Sequence, residues 1–190
     1  MSDMLENLET RQGLPVEMQT LLRDYPRDAW PDHPNFAASI QNWLGAHVMF
    51  GRLADIVEKD TQAYLDRDSD VQDYAGRLGY FGNQLVANLH GHHTWEDRSY
   101  FPELNKADSR FESGLQMLEA DHEVLDAGLD RLTKHANRAI QLTTVAPDQV
   151  KDEAGKVLKS VEDIKSYLGR HLPDEEDLIV PILLHHKMRG

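Results

Sequence analysis

Two segments of the chain, residues 89–102 and 168–181, carry the same spacing of histidine, glutamate and proline. Laid over each other, they match at three positions: His92 with His171, Glu96 with Glu175, and Pro102 with Pro181. Residues four apart on a helix share one face, so each segment offers an imidazole nitrogen and a carboxylate oxygen to one point in space. Both groups are common metal ligands. Two such segments that face each other therefore predict a two-metal site.

The composition limits the metal sites and partners that fit this chain. Its 190 residues suffice for one domain with a hydrophobic core. The absence of cysteine excludes disulfides, zinc–thiolate sites, cysteine-ligated iron–sulfur clusters and cysteine nucleophiles. The formal net charge of -13 argues against a nucleic-acid partner, because phosphate binding needs clustered lysine and arginine.

The sequence shows no sign of a membrane or secretion segment. No apolar run approaches the roughly 18 residues that a membrane span requires. The first residues are acidic and lack the basic-then-apolar pattern of a signal peptide. We therefore expect a cytoplasmic protein with no membrane partner.

The chain divides into an N-terminal extension and a helical main body. Residues 1–35 contain several prolines around Trp30, with a short helix expected near residues 16–23, and should pack on the outside of the main body. Residues 36–190 carry four long stripes of apolar residues at helical spacing. The pattern predicts an all-α fold, an up-down-up-down antiparallel four-helix bundle preceded by the extension.

Short polar segments separate the four stripes and explain where the helices should begin. The breaks lie near residues 66–70, 107–109 and 143–147. Asp70 and Ser109 are suitable N-caps, and Pro147 suits the first turn of a helix. Such short connections favour antiparallel neighbours.

Six polar residues interrupt the apolar stripes at positions that face the predicted core: His47, His92, Glu96, His122, His171 and Glu175. A charged glutamate in a dry core is very costly unless something compensates it. Counted from the breaks at about 1.5 Å per residue, all six fall in one layer of an antiparallel bundle. Two metal cations would compensate them together. The alternative, a histidine and glutamate network without metal, is difficult to satisfy at this size.

The ligand types also limit the identity of the metal. Four imidazoles and two carboxylates suit Fe, Mn, Zn or Cu better than Ca or Mg, which prefer oxygen ligands. The two glutamates can bridge two metal ions a few Å apart. Solvent or a bridging oxygen would fill the remaining positions and leave space for a small ligand.

These residues resemble the hemerythrin-like, or HHE cation-binding, domain family. The resemblance spans residues 36–187 and rests on the six polar residues together with the Phe-Pro and Val-Pro endings of the two segments. It implies a four-helix bundle around two non-haem iron ions, with Mn or Zn as alternatives, joined by an oxo or hydroxo bridge. By resemblance, each iron takes two histidines and shares both glutamates: His47 and His92 on one, His122 and His171 on the other, and Glu96 and Glu175 as bridges.

Two further residues are candidates for additional or second-sphere roles. Oxygen-carrying hemerythrins have a second histidine in the third helix where this chain has Asp126, which would ligate a metal, hydrogen-bond a ligand or face solvent. His93 lies one residue round from its stripe, where second-sphere support or surface exposure is expected. The fourth-helix carboxylate, Glu175, comes one residue earlier than in oxygen carriers. Both Asp126 and this spacing are more like the sensor and regulatory branches of the family.

Three functions fit these residues. The favoured one is a non-haem di-iron protein that binds oxygen or a related small molecule, such as peroxide or nitric oxide, in sensing, storage or detoxification. The second is a di-iron oxidase or peroxidase, which requires a substrate path and a proton donor, with Asp126 and His93 as candidates. The third is an interaction domain in which the metal is structural. The oligomeric state does not follow from the sequence.

Overall fold

The computed structural model describes residues 7–67 and 70–189, and all regular secondary structure in these residues is helical. The α-helices are α1 (Thr20–Asp24), α2 (Ala38–Arg67), α3 (Val71–Trp95), α4 (Phe101–Ala107), α5 (Glu112–Val145) and α6 (Val150–His186). Short 3-10 turns occur at Val16–Met18, Arg27–Ala29, Ser109–Phe111 and Pro147–Gln149. Over the described ranges, none of the helices combines the length and apolar character needed to cross a bilayer. The predicted all-α class is confirmed.

The long helices begin close to the predicted breaks, where aspartate or proline precedes or opens the helix. Asp70 caps α3, since its Oδ1 accepts hydrogen bonds from the backbone N–H groups two and three residues later, at 2.8 and 2.9 Å. Pro147 occupies the start of the 3-10 turn that leads into α6. The predicted cap at Ser109 is wrong by one residue. The carboxylate of Asp108 accepts the backbone N–H of Arg110, and it also binds the Arg110 guanidinium.

The helix that carries the first histidine–glutamate pair continues beyond that pair. After Trp95 it passes through a π-helical turn, Glu96–Tyr100, directly into α4. A π turn closes i→i+5 hydrogen bonds and therefore shifts the phase of the helix that follows. Two successive residues where this turn meets α4, Tyr100 and Phe101, are both buried. Single π turns are frequent at functional sites.

Packing divides the described residues into two compact units. The first comprises residues 7–48, 93–124 and 167–189, and the second comprises residues 49–67, 70–92 and 125–166. Each of the four long helices contributes residues to both units.

The first unit has a large apolar core to which the N-terminal segment, residues 7–35, contributes alongside the helices. The segment supplies four buried side chains: Leu14, Met18, Leu21 and Trp30. Other members of this core come from α2, α4, α5 and α6 and include Ile40, Leu104, Leu118, Leu178 and Ile182. Burial of such side chains stabilises each by about 1.5–3 kcal/mol relative to exposure. The N-terminal segment is therefore held by the same apolar core as α5 and α6.

The second unit has its own buried apolar residues. They recur at helical spacing along α2, α3, α5 and α6 and include Val57, Leu85, Leu129, Leu132, Val161 and Ile164. Tyr64 and Tyr74 stack with ring centroids 4.3 Å apart, and the Tyr74 hydroxyl donates to Thr61. Apolar stripes of this kind explain why the sequence forms long helices here.

Replacing the cap residue should show that α3 begins where the structure places it. Asp70→Ala removes the acceptor for two backbone N–H groups and should lower the free energy of unfolding by about 1 kcal/mol. Chemical denaturation followed by circular dichroism measures this loss. Asp73→Ala, an exposed first-turn change, is the control; an equal loss in both variants would contradict the assignment of Asp70 as the cap.

Candidate metal centre

Three buried histidines from three helices form the first group of potential metal ligands. His93 lies on α3, His122 on α5 and His171 on α6, and one ring nitrogen from each lies within 4.8 Å of the others. The rings of His93 and His122 stack at 4.1 Å, and His171 lies edge-on to His122 at 4.9 Å. We call these residues the three-histidine group.

The second group combines two histidines with both glutamates of the repeated pattern. Its members are His47 on α2, His92 on α3, Glu96 in the π turn and Glu175 on α6, and one ligand atom from each lies within 4.8 Å of the rest. His92 is half-buried and the other three are buried. His92 directly precedes, on the same helix, the α3 residues that belong to the first unit. We call these four residues the mixed group.

The two glutamates of the mixed group also lie beside imidazoles of the three-histidine group. Glu175 Oε2 is 3.4 Å from His47 Nε2 and 3.7 Å from His171 Nε2. Glu96 Oε2 is 3.7 Å from His122 Nε2. Each carboxylate therefore contacts ligands of both groups, which is the arrangement that a bridge between two metal ions requires.

This region buries polar atoms that the protein itself does not satisfy. Within the described residues, Nε2 of His122 and Nε2 of His171 have no hydrogen-bond partner. Burial, followed by the neighbouring His122 and His93, lowers the pKa of His171 well below its usual value. Burial, followed by the Glu96 carboxylate, raises the pKa of Glu175 well above its usual value. A cation would use the imidazole lone pairs and relieve the repulsion between the carboxylates, so metal ions fit these residues.

Three of the histidines direct their other ring nitrogen at a carboxylate. The Nδ1 contacts are His47 to Glu176 Oε1 at 2.9 Å, His122 to Asp97 Oδ1 at 2.7 Å, and His171 to Asp121 Oδ2 at 3.1 Å. Because an ionised carboxylate only accepts hydrogen bonds, Nδ1 carries the proton and Nε2 keeps its lone pair. Carboxylate–histidine pairs of this kind orient metal-binding imidazoles and increase their basicity.

Sequence reasoning missed these three carboxylates, although each adjoins a predicted ligand. Glu176 follows Glu175, Asp97 follows Glu96, and Asp121 precedes His122. An acidic residue directly beside a ligand position is therefore the signal that the sequence offered. It is a weak signal, since adjacent helical residues point about 100° apart and the partner imidazole lies on another element.

Two aromatic residues place polar atoms at the mixed group. Trp43 Nε1 donates to Glu96 Oε1 at 2.7 Å, and the Trp43 ring lies 4.3 Å from that of His47. The Tyr100 ring lies 6.2 Å from the Trp43 ring. The buried hydroxyl of Tyr100 has no hydrogen-bond partner among the described residues. Burial, then the carboxylates of Glu96 and Glu175, raises the pKa of Tyr100, so the phenol stays protonated.

The structure places all six predicted ligands in the two groups. Of the two additional candidates, His93 belongs to a group and Asp126 does not. His93 is buried in the three-histidine group. Asp126 belongs to neither group, and its Oδ2 lies 2.9 Å from Nδ1 of the exposed His90. His93 and His92 precede Glu96 by three and four residues, and both spacings bring side chains together on a helix. The spacing His-His-x-x-Glu was therefore the signal for His93.

The buried carboxylate of Glu175 should make the metal-free protein less stable as the pH rises. Its pKa in the folded state is raised above the reference value of 4.5, so folding favours the protonated form and stability is lost above that pH. In metal-free protein, Glu175→Gln should raise the free energy of unfolding at pH 7.5 by about 1–3 kcal/mol and weaken its pH dependence. Denaturant titrations of chelator-treated protein at pH 5 and 7.5 measure this.

Glu153→Gln is the matched control for that measurement. Burial acts against ionisation of Glu153, but hydrogen bonds from Lys156 and His135 leave its pKa lowered. This variant should therefore lose stability at pH 7.5 instead of gaining it. A metal-free Glu175→Gln protein with the stability and pH dependence of the wild type would contradict the inferred burial of a destabilising charge.

Comparison with known proteins gives one informative result. No curated protein and no solved structure matches the chain significantly. The family model for the hemerythrin HHE cation binding domain matches residues 38–183, a span that contains every member of the three-histidine and mixed groups. The resemblance inferred from the spacing of histidine and glutamate is confirmed, and the chain belongs to the hemerythrin HHE cation-binding domain family.

Proposed function

We propose that this chain is a non-haem di-iron protein that binds oxygen or a related small ligand, such as peroxide or nitric oxide, in sensing, storage or detoxification. The observation that carries the proposal is the pair of ligand groups that share Glu96 and Glu175. We further propose that the four long helices follow an up-down-up-down antiparallel path. The short breaks between them support this path.

The residues fit two metal ions with unequal ligand sets. The three-histidine group would hold one ion, His47 and His92 would hold the other, and both glutamates would be shared. Imidazole and carboxylate ligands without a thiolate suit iron, and also Mn or Zn. Two ferrous ions would supply electrons and an open coordination position for a small ligand. Because the mixed group has one imidazole fewer, we assign the open position to its side.

Hydrogen bonds fix the ligand side chains before any metal binds. Trp43 holds Oε1 of Glu96, and Oε2 of the same carboxylate is the atom beside His122. The carboxylates at Nδ1 of His47, His122 and His171 select the tautomer whose Nε2 lone pair is available. Such preorganisation reduces the entropy lost when the metal ions bind.

Apolar rings restrict the access of water to the proposed site. The Phe50 ring packs 5.0 Å from the ring of His92, and the Phe101 ring packs 5.5 Å from that of His122. Both phenylalanines are 1% exposed. A hydrogen bond made to a small ligand in this dry environment is stronger than it would be in water.

The hydroxyl of Tyr100 is the protein group best suited to make such a hydrogen bond. It is buried, protonated and without a hydrogen-bond partner among the described residues. Its ring lies 6.2 Å from that of Trp43, whose indole N–H donates to Glu96. We propose that Tyr100 donates to a ligand bound at the mixed group and keeps its own proton.

Removing one predicted ligand should remove metal while the fold remains. Wild-type protein loaded anaerobically with ferrous iron should hold two iron ions per chain, and His122→Ala should lose at least one of them. His135→Ala should retain both, because the imidazole of His135 belongs to neither ligand group and instead contacts Glu153 at 2.6 Å. Iron analysis after desalting measures the difference. Equal iron content in the three proteins would contradict the assignment of His122.

The loaded protein should respond to oxygen and to a small anion. Oxidised iron-loaded protein should show absorption bands of oxo-bridged ferric iron that shift on addition of azide. Absorption spectra recorded before and after exposure to air, and then with azide, test this. If fully loaded protein shows neither response, the proposed ligand binding fails and a structural role for the metal is favoured.

Replacing the tyrosine hydroxyl should weaken ligand binding and leave the metal in place. Tyr100→Phe removes one hydrogen bond to a charged ligand, which contributes about 1.5–3 kcal/mol, so the azide Kd should rise at least about tenfold at unchanged iron content. Tyr74→Phe is the control, since the hydroxyl of this buried tyrosine donates to Thr61 in the second unit. An unchanged azide Kd in Tyr100→Phe would exclude Tyr100 as the donor.

A further inference from the structure

Arg11, in the N-terminal segment, is buried against two carboxylates of the first unit. Its Nη1 and Nη2 donate to the two oxygens of Asp121 at 3.1 and 2.6 Å, and its Nε donates to Asp174 at 2.7 Å. The Arg11 side chain is 1% exposed, and those of its partners are 2% and 0% exposed. A guanidinium held by two carboxylates in this way is fixed in position.

The carboxylate of Asp121 in turn holds a member of the three-histidine group. Its Oδ2 lies 3.1 Å from Nδ1 of His171, and the same oxygen accepts from Arg11. Arg11, Asp121 and His171 therefore form one continuous chain of hydrogen bonds.

Arg27, also in the N-terminal segment, makes the corresponding connection to the mixed group. Its Nη1 donates to Glu176 Oε2 at 2.7 Å, and its Nε donates to Asp177 Oδ1 at 2.5 Å. The other oxygen of Glu176 lies 2.9 Å from Nδ1 of His47. Arg27, Glu176 and His47 thus form a second chain of the same kind. One N-terminal segment therefore reaches one imidazole in each ligand group.

We propose that Arg11 and Arg27 are positioning residues of the metal centre, and that docking of the N-terminal segment is coupled to metal binding. The inference rests on the proposed function only in requiring that metal ions bind the two groups. Each arginine holds a carboxylate, each carboxylate orients one imidazole, and a correctly oriented imidazole binds metal more tightly. Because coupling between two binding events is reciprocal, bound metal must also stabilise the docked segment.

The expected size of the effect follows from the chemistry of outer carboxylates. Loss of a group that orients a metal-binding histidine costs about 10–100-fold in metal affinity. Arg11 is fully buried, and its removal leaves the buried carboxylate of Asp121 without its guanidinium, so this change also threatens folding. Arg27 is 43% exposed, and its removal should leave the fold intact. Arg27→Met is therefore the primary variant and Arg11→Lys, which keeps the charge, is the second.

The control is an arginine with similar surroundings and no connection to the ligand groups. Arg77 donates through Nε and Nη2 to Asp60 in the second unit, and its side chain is 53% exposed. Arg77→Met removes a surface ion pair of the same kind as the one that Arg27→Met removes. Any loss of metal retention that is specific to Arg27→Met then reports the connection to His47 through Glu176.

The first measurement is the rate at which a chelator removes iron from loaded protein. Arg27→Met should release iron about 10-fold faster than wild type, and Arg77→Met should release it at the wild-type rate. Glu176→Gln should show the same acceleration as Arg27→Met. The double variant Arg27→Met/Glu176→Gln should release iron no faster than either single variant, because both changes act through one chain of hydrogen bonds. Additive effects in the double variant, or equal rates in Arg27→Met and wild type, would overturn the inference.

The second measurement reads the reciprocal effect without any reactivity of the metal. Hydrogen exchange followed by mass spectrometry should show slower exchange in residues 7–35 of iron-loaded wild type than of metal-free wild type. Arg11→Lys and Arg27→Met should reduce this difference, whereas Arg77→Met should keep it. Exchange in residues 7–35 that is unaffected by iron would overturn the coupling while leaving the metal site standing. Failure of wild type to bind iron would overturn both proposals.

Discussion

The two ligand groups place charged and polar side chains in a dry helical interior, and the free-energy cost of burying them governs the structure around them. Glu96 and Glu175 are fully buried, and the Nε2 atoms of His122 and His171 have no protein partner among the described residues. A helical core of this size could have filled those positions with apolar side chains, which pack without any desolvation cost. The arrangement is therefore more stable with something that binds imidazole lone pairs and separates the negative charges. Metal cations meet both requirements, and the family to which the chain belongs binds cations.

Several features that surround the ligand groups follow from this requirement. The imidazoles must present Nε2, and the carboxylates of Asp97, Asp121 and Glu176 secure this by holding Nδ1. The negative charge of those three carboxylates adds to that of the two shared glutamates. Arg11 and Arg27 of the N-terminal segment offset only part of this negative charge, because the carboxylates outnumber these two guanidinium groups. Two divalent cations would bring this region close to neutrality, which is the balance expected of buried charge.

Much of the fold and many of the site residues could be predicted because both depend on local periodicity. Apolar spacing located the long helices and their breaks, and the His-x-x-x-Glu spacing located residues that share a helix face. His93 was harder to place, because it adjoins His92 and a single stripe accommodates only one of two successive residues. The π turn at Glu96–Tyr100 could not be predicted either, since its phase shift has no residue signature. The contacts of Arg11 join residues more than a hundred positions apart, and no local pattern reports them.

The two repeated segments also explain why the two ligand groups differ. The alignment that pairs His92 with His171 pairs Asp97 with Glu176, so the outer carboxylates of His122 and His47 occupy equivalent positions of the repeat. The same alignment pairs His93 with Leu172, which is buried and apolar.

The two segments therefore differ at this position. His93 adds a third imidazole to the three-histidine group, and the equivalent Leu172 adds none to the mixed group. Two equivalent metal ions would compete equally for a small ligand, whereas unequal ligand sets would direct it to the ion with fewer imidazoles. The inequality is built from a single histidine on a helix that already carries the paired ligand. One histidine is thus enough to make two otherwise matching ligand groups unequal.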